Sequence, residues 1–238
     1  EDNGLMALVN VIPAVSSYAV AVPGSQGRPA RVEVHDGSGD KVLGFVTPFP
    51  AFEGTPSVAM ADVNGDNVLD LIVGTGPGVA PEVVAYSGTD GGQGPFSSEL
   101  ARFTPFDPGF RGGVSVAGAD VDGNPSTDNI IVGSGPGTES RVTVFSSALP
   151  KMGDTPETFS TFTPYPGSRS GVTLATGTVD IGTGRPSIVT APGPGEPAQV
   201  KTFRYDLYTP TEAAKARGAT DEHSHDPAMT SEFLAYDP

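Results

Sequence analysis

The residues best placed to do chemistry lie between Asp62 and Asp70, in the run DVNGDNVLD. Oxygen-bearing side chains fall at every second position, Asp62, Asn64 and Asp66, and a carboxylate closes the run at Asp70. A hard divalent cation such as calcium takes six to eight oxygens at about 2.3–2.6 Å. A tight loop supplies them when alternate side chains turn inward and a main-chain carbonyl, here that of Val68, fills a gap. An EF-hand would need twelve residues and a closing Glu. This run is shorter and sits between SVAMA (57–61) and LIVGTGPG (71–78), so it is predicted to join two strands. An acidic surface hairpin is the plainer reading, and the recurrence of the whole unit weighs against it.

DVNGDNVLDLIVGTGPG (62–78) returns as DVDGNPSTDNIIVGSGPG (120–137) and, eroded, as TVDIGTGRPSIVTAPGPG (178–195). Asp62 and Asp120 stand 58 residues apart, as do Asp120 and Thr178. A fainter first copy is YAVAVPGSQGRPARVEVH (18–35). Such a period marks a repeat architecture: four modules, roughly 4–50, 54–108, 112–166 and 171–238, within one domain spanning 1–238.

Four short extended segments recur in each module. The first is small and alternating (LMALV 5–9, SVAMA, VSVAGA 114–119, VTLATG 172–177), and the second is a continuous apolar run (AVAV 19–22, LIV, IIV 130–132, SIV 187–189). A run of that kind suits a strand buried on both faces. The third alternates (RVEVH 31–35, EVVAY 82–86, RVTVF 141–145, QVKTF 199–203). The fourth carries aromatics around a proline (FVTPF 45–49, RFTPF 102–106, TFTPY 161–165), with EFLAY (232–236) in the last module. Proline cannot donate to a ladder, which predicts an outer edge strand there. Small residues inside and bulky ones outside suit sheets arranged radially. The expected fold is all-β, a β-propeller of four four-stranded antiparallel blades.

At this point the chain resembles the FG-GAP/VCBS-type repeats found in integrin α-subunit propellers and many secreted bacterial proteins. The likeness rests on the acidic loop, the apolar strand and the Gly-Pro turn, and is strongest over 54–146. It implies calcium held by Asp62, Asn64, Asp66, the Val68 carbonyl and Asp70. It implies a second ion held by Asp120, Asp122, Asn124, the Ser126 carbonyl and Asp128. The other two loops depart from the pattern: NVIPAVSSY (10–18) has no carboxylate, and TVDIGTGRP (178–186) keeps only Asp180 and adds Arg185. Neither is assigned a metal. Between the two acidic loops, 62–70 is expected to bind more tightly. Its sixth position is Asn67, which tolerates a left-handed turn, whereas Pro125 has its φ locked and forces loop 120–128 to bend elsewhere, at Gly123.

Composition narrows the function. The 238 residues carry a formal net charge of −15, which repels a polyanion and argues against nucleic acid as a partner. Gly 32 and Pro 24 punctuate apolar runs, the mark of a turn-rich β-protein. The absence of Cys leaves no thiol chemistry. LMALVNVIPAV (5–15) is too short to span a bilayer.

Other candidates are weaker. The GPG turns lack the Lys-Ser/Thr of a phosphate loop. His223 and His225, with Asp221 or Asp226, have zinc-ligand chemistry but read more simply as a solvated loop. Thr209, Pro210 and Glu212 form a capping box for a short helix ending at Gly218. His35 stands alone, and no Ser–His–Asp set is evident, so no enzyme is expected. The expected function is an extracellular or cell-surface calcium-binding propeller with a structural, adhesion or self-assembly role. Its partners would be calcium ions and either a second copy, through the terminal blades, or another protein. The rival is a carbohydrate-binding or carbohydrate-cleaving propeller with its site in the central mouth.

Overall fold

The computed structural model describes residues 17–89, 92, 94–146, 155–179, 184–205 and 227–235. Their strands form four antiparallel meanders, each in chain order. Sheet 1 is β1 (Ser17–Val22), β2 (Arg31–Asp36) and β3 (Val42–Val46). Sheet 2 is β4 (Ser57–Ala61), β5 (Asp70–Gly74), β6 (Val83–Tyr86) and β7 (Glu99–Phe103). Sheet 3 is β8 (Val114–Ala119), β9 (Asn129–Ser134), β10 (Val142–Phe145) and β11 (Thr158–Phe162). Sheet 4 is β12 (Val172–Gly177), β13 (Ser187–Pro192), β14 (Gln199–Arg204) and β15 (Ala228–Leu234). No helix occurs among the described residues. The segment 5–9, the helix expected before Gly218, Asp180, and the loop with His223 and His225 lie outside them.

The continuous apolar runs explain how the sheets associate. Successive residues of a strand point to opposite faces, so Leu71 and Val73 pack toward sheet 1 while Ile72 packs toward sheet 3. Leu71, Ile72 and Val73 are all fully buried. In sheet 3, Ile130 and Val132 face sheet 2 and Ile131 faces sheet 4. Three apolar layers result. Val32, Val34 and Val46 meet Val84 and Tyr86; Val83, Ala85 and Phe103 meet Val116 and Phe145; Val142, Val144 and Tyr165 meet Val172 and Phe203. Each fully buried side chain of this size contributes about 1.5–3 kcal/mol relative to exposure.

The small first strands let the sheets converge. β4 packs on β8 and β8 on β12, and a Cβ built on Gly118 would lie 2.4 Å from the Ala61 Cβ. Hydrogen bonds cross between sheets here. Ser57 Oγ accepts from Val116 N at 3.0 Å, Ser115 Oγ donates to Val172 O at 2.6 Å, and Thr176 Oγ1 donates to Gly118 O at 2.8 Å. The repeated Gly-Pro turns add main-chain bonds, Gly135 N to Gly113 O and Gly193 N to Gly171 O.

One expectation is corrected. The prolines at 48, 105 and 164 are not within edge strands: β3, β7 and β11 end at Val46, Phe103 and Phe162, two residues before each proline. The missing N–H and fixed φ stop the strand, and the aromatic beyond it folds back, Phe49 and Tyr165 both being buried.

Two-sided burial makes a sharp mutational contrast. Ile72→Ala should lower unfolding free energy by about 2–5 kcal/mol. Phe45→Ala, at a ring 69% exposed, should stay within about 0.5 kcal/mol. Urea denaturation of both variants measures the difference.

Candidate metal centre

The loop between β4 and β5 is built by its own acids accepting from its own backbone. Asp62 Oδ1 accepts from Gly65 N at 2.7 Å and Asp66 N at 3.2 Å, and Asp62 Oδ2 accepts from Asn67 N at 2.7 Å. Asn64 Oδ1 accepts from Asp66 N, and Asp66 Oδ1 from Val68 N, both at 2.9 Å. These short-range bonds wind the chain into successive Asx turns. Gly65 (φ 80°) and Asn67 (φ 62°) occupy the left-handed region, Asn67 as its position was expected to require.

Asp70 closes the loop from inside. It is fully buried, and its two oxygens accept from Val63 N at 3.0 Å and Gly88 N at 2.9 Å. Burial, with the neighbouring Asp66 and Asp62 charges, pushes its carboxyl up to about 6. Asn64 Nδ2 lies 3.1 Å from Asp66 Oδ2 and 3.5 Å from Asp70 Oδ1, so an amide N–H is the one donor set between two acids. Among the described residues no cation is paired with Asp62, Asp66 or Asp70. Three carboxylates and an amide on one turn, lacking positive charge, are a donor set that fits a divalent cation. The acids are spread along the turn and are not already gathered on one point.

The second loop differs by one residue. β8 and β9 pair Ala119 with Asn129, whereas β4 and β5 pair Ala61 with Asp70. The structural counterpart of Asp70 is therefore Asn129, not Asp128. Asn129 does the same work with an amide: Oδ1 accepts from Val121 N and Asp122 N, and Nδ2 donates to Phe145 O at 2.9 Å and to Asp122 Oδ2 at 2.8 Å. Asp120 Oδ1 accepts from Gly123 N at 2.7 Å, and Asp122 Oδ1 from Asn124 N at 3.0 Å. Asn124 Oδ1 accepts from Ser126 N at 3.2 Å. The loop turns at Gly123 (φ 81°), as the first loop turns at its equivalent Gly65 (φ 80°), so this bend is common to both loops. The difference made by Pro125 is that no left-handed residue follows Gly123 at the sixth position.

Asp128 turns away from its own loop toward the first. Its Oδ2 accepts from Asp62 N at 3.0 Å, and its N donates to Asp62 O at 2.7 Å. This paired contact fastens the two loops across sheets 2 and 3. On the far side, Asp120 shares a cleft of about 230 Å³ with Arg185, Arg204 and Tyr205. Burial raises its carboxyl and the Arg185 charge partly offsets this. The carboxylates of the second loop thus turn to neighbours outside it, Asp128 to Asp62 and Asp120 to the cleft with Arg185, while Asp62 and Asp66 of the first remain near enough to Asp70 to raise its carboxyl.

No family model matches the chain, and no curated protein matches it. The assignment of these loops therefore rests on their own residues. Sequence spacing located the acids and noted Arg185 in the third loop, but missed Gly88, Asn129 and the placing of Arg185 beside Asp120. A single signal was available for Asn129: the spacing from Pro77 to Pro136 is one residue longer than from Asp62 to Asp120.

Asp70 yields a pH test with a definite sign. Its folded value lies above its ordinary one, so between about pH 4 and 6 the native state holds a proton the unfolded chain has released. Stability contributed at this position falls as pH rises through that window. In chelator, wild type should lose on the order of 2 kcal/mol relative to Asp70→Asn across it, since Asn129 shows that an amide fits this position. Thermal unfolding of both proteins at stepped pH checks this.

Proposed function

We propose that the chain is an extracellular calcium-binding β-propeller module with a structural role, loop 62–70 being its principal metal site. The observation that carries this reading is Asp70: a fully buried carboxylate beside Asp62 and Asp66 with no paired cation among the described residues. A bound calcium ion would supply the positive charge this turn lacks, with Asp62, Asn64, Asp66, Asp70 and the Val68 carbonyl as ligands. The packing of the small first strands on one another, β4 on β8 and β8 on β12, supports blades that converge on an axis. Sites of this kind in extracellular modules bind at roughly 10⁻⁴–10⁻³ M, which suits a calcium-rich medium.

The carbohydrate reading has less to support it. A cleft of about 220 Å³ opens where the Gly-Pro turns of sheets 2, 3 and 4 meet, between Ser57, Ser115, Thr173, Pro77, Pro136 and Pro194. Its described lining has neither a carboxylate for glycosidic chemistry nor an aromatic ring for stacking on a sugar.

The test is a calcium titration read by melting and calorimetry. Tenfold excess over the dissociation constant at one site adds on the order of 1.4 kcal/mol, so the melting temperature should rise with calcium and fall in chelator. Asp66→Ala should weaken binding more than Asn124→Ala. Pro125→Gly should tighten the second loop by freeing its sixth position. A melting temperature indifferent to chelator would sink the calcium role.

A further inference from the structure

The three interfaces between sheets use one set of positions, and the register identifies them. Toward the following sheet, sheet 2 presents Ala59, Ile72, Val83 and Phe103, and sheet 3 presents Ala117, Ile131, Val142 and Phe162. The same positions in sheet 4 are Ala175, Val189, Val200 and Phe233. The residue types are retained almost unchanged, yet Ala175 is exposed and Phe233 is 53% exposed.

The receiving face repeats as well. Leu71, Val73 and Tyr86 receive sheet 1; Ile130, Val132 and Phe145 receive sheet 2; Ile188, Thr190 and Phe203 receive sheet 3. In sheet 1 these positions are Tyr18, Val20 and His35, and Tyr18 and Val20 are each 39% exposed. Beside them on that face, Phe45 pairs with Glu33 and Val42 with His35. Phe45 is 69% and Val42 50% exposed. A ring pair closes two of the interior interfaces: Phe103 on Phe145 at 4.8 Å, and Phe162 on Phe203 at 4.7 Å. The unmatched members of that series are Phe233 at one end and His35, stacked on Tyr18 at 5.3 Å, at the other.

Each chain thus carries both halves of one more interface, and among the described residues no strand of sheet 4 makes more than a marginal contact with a strand of sheet 1. We infer that the outward face of sheet 4 docks on the outward face of sheet 1 of a second copy, head to tail, with Phe233 against the ring pair of Tyr18 and His35. Such a heterologous contact closes into a ring when its rotation allows and otherwise propagates. Two copies joined twice would make a ring of eight sheets, within the range known for propellers. This deepens the scaffold reading proposed above and is independent of whether the acidic loops bind calcium.

The chain has no cysteine, so thiol cross-linking reports only introduced positions. Phe233→Cys and His35→Cys are prepared separately, mixed, and treated with a short bis-maleimide, with calcium and with chelator. Cross-linked dimer from the mixture, and from neither variant alone, is the expected result. Dimer from a single variant would mean a face-to-face contact and overturn the head-to-tail arrangement. Absence of cross-linking in the mixture, while both variants keep the wild-type far-ultraviolet spectrum, would overturn association through these faces. Phe233→Glu provides a second reading. It should leave the melting temperature of the dilute protein unchanged and shift sedimentation of the concentrated protein at least tenfold toward monomer.

Discussion

The constraint on which the fold depends is that the second strand of each interior sheet is apolar on both faces. A strand such as Leu71–Val73 has no side to offer water, so its sheet is stable only with another sheet on either hand. Serial stacking follows from that alone, and everything else is adjusted to it. The first strands are small so that backbones converge, Gly118 approaching Ala61 more closely than any side chain would permit. Polar groups that converge with them are satisfied across the gap by Ser57, Ser115 and Thr176.

Stacking also dictates what the loops can be. With both faces of the interior strands covered, solvent is reached chiefly at strand ends and along the outer strands, and the turn from first to second strand must reverse the chain in few residues. In the first acidic loop this is achieved by carboxylates folded back on their own amides, which leaves three like charges spaced along one short turn as a consequence of shape. Asp70 and Asn129 show the division of roles. Both close their loops through buried side-chain oxygens, but only the first adds a charge. The third loop places Arg185 beside Asp120, a fixed cation at the position where the sequence abandons acids.

Much of this was legible in the residues. The repeat period, the doubly buried runs and the left-handed Asn67 all follow from local chemistry, which the chain must obey wherever it folds. What was not legible depends on register and on neighbours. The prolines of the fourth segment were expected inside an edge strand but end it, because a chain reversal just beyond them buries Phe49 and Tyr165. Asp128 matched Asp70 by counting, yet one extra residue turned it toward Asp62 of the adjacent sheet. No window of sequence contains both partners of that contact, which are 66 residues apart.

Because each sheet is held chiefly by the one before and the one after it, the molecule is close to a one-dimensional array. In such an array the free energy of a segment is set by how many neighbours it has, and among the described residues each terminal sheet packs on one other sheet. Sheets 1 and 4 therefore fray at lower cost than sheets 2 and 3, and unfolding proceeds inward from the ends. The breadth of the unfolding transition, more than its midpoint, then measures how strongly adjacent sheets are coupled, and the paired bonds between Asp62 and Asp128 act directly on that coupling.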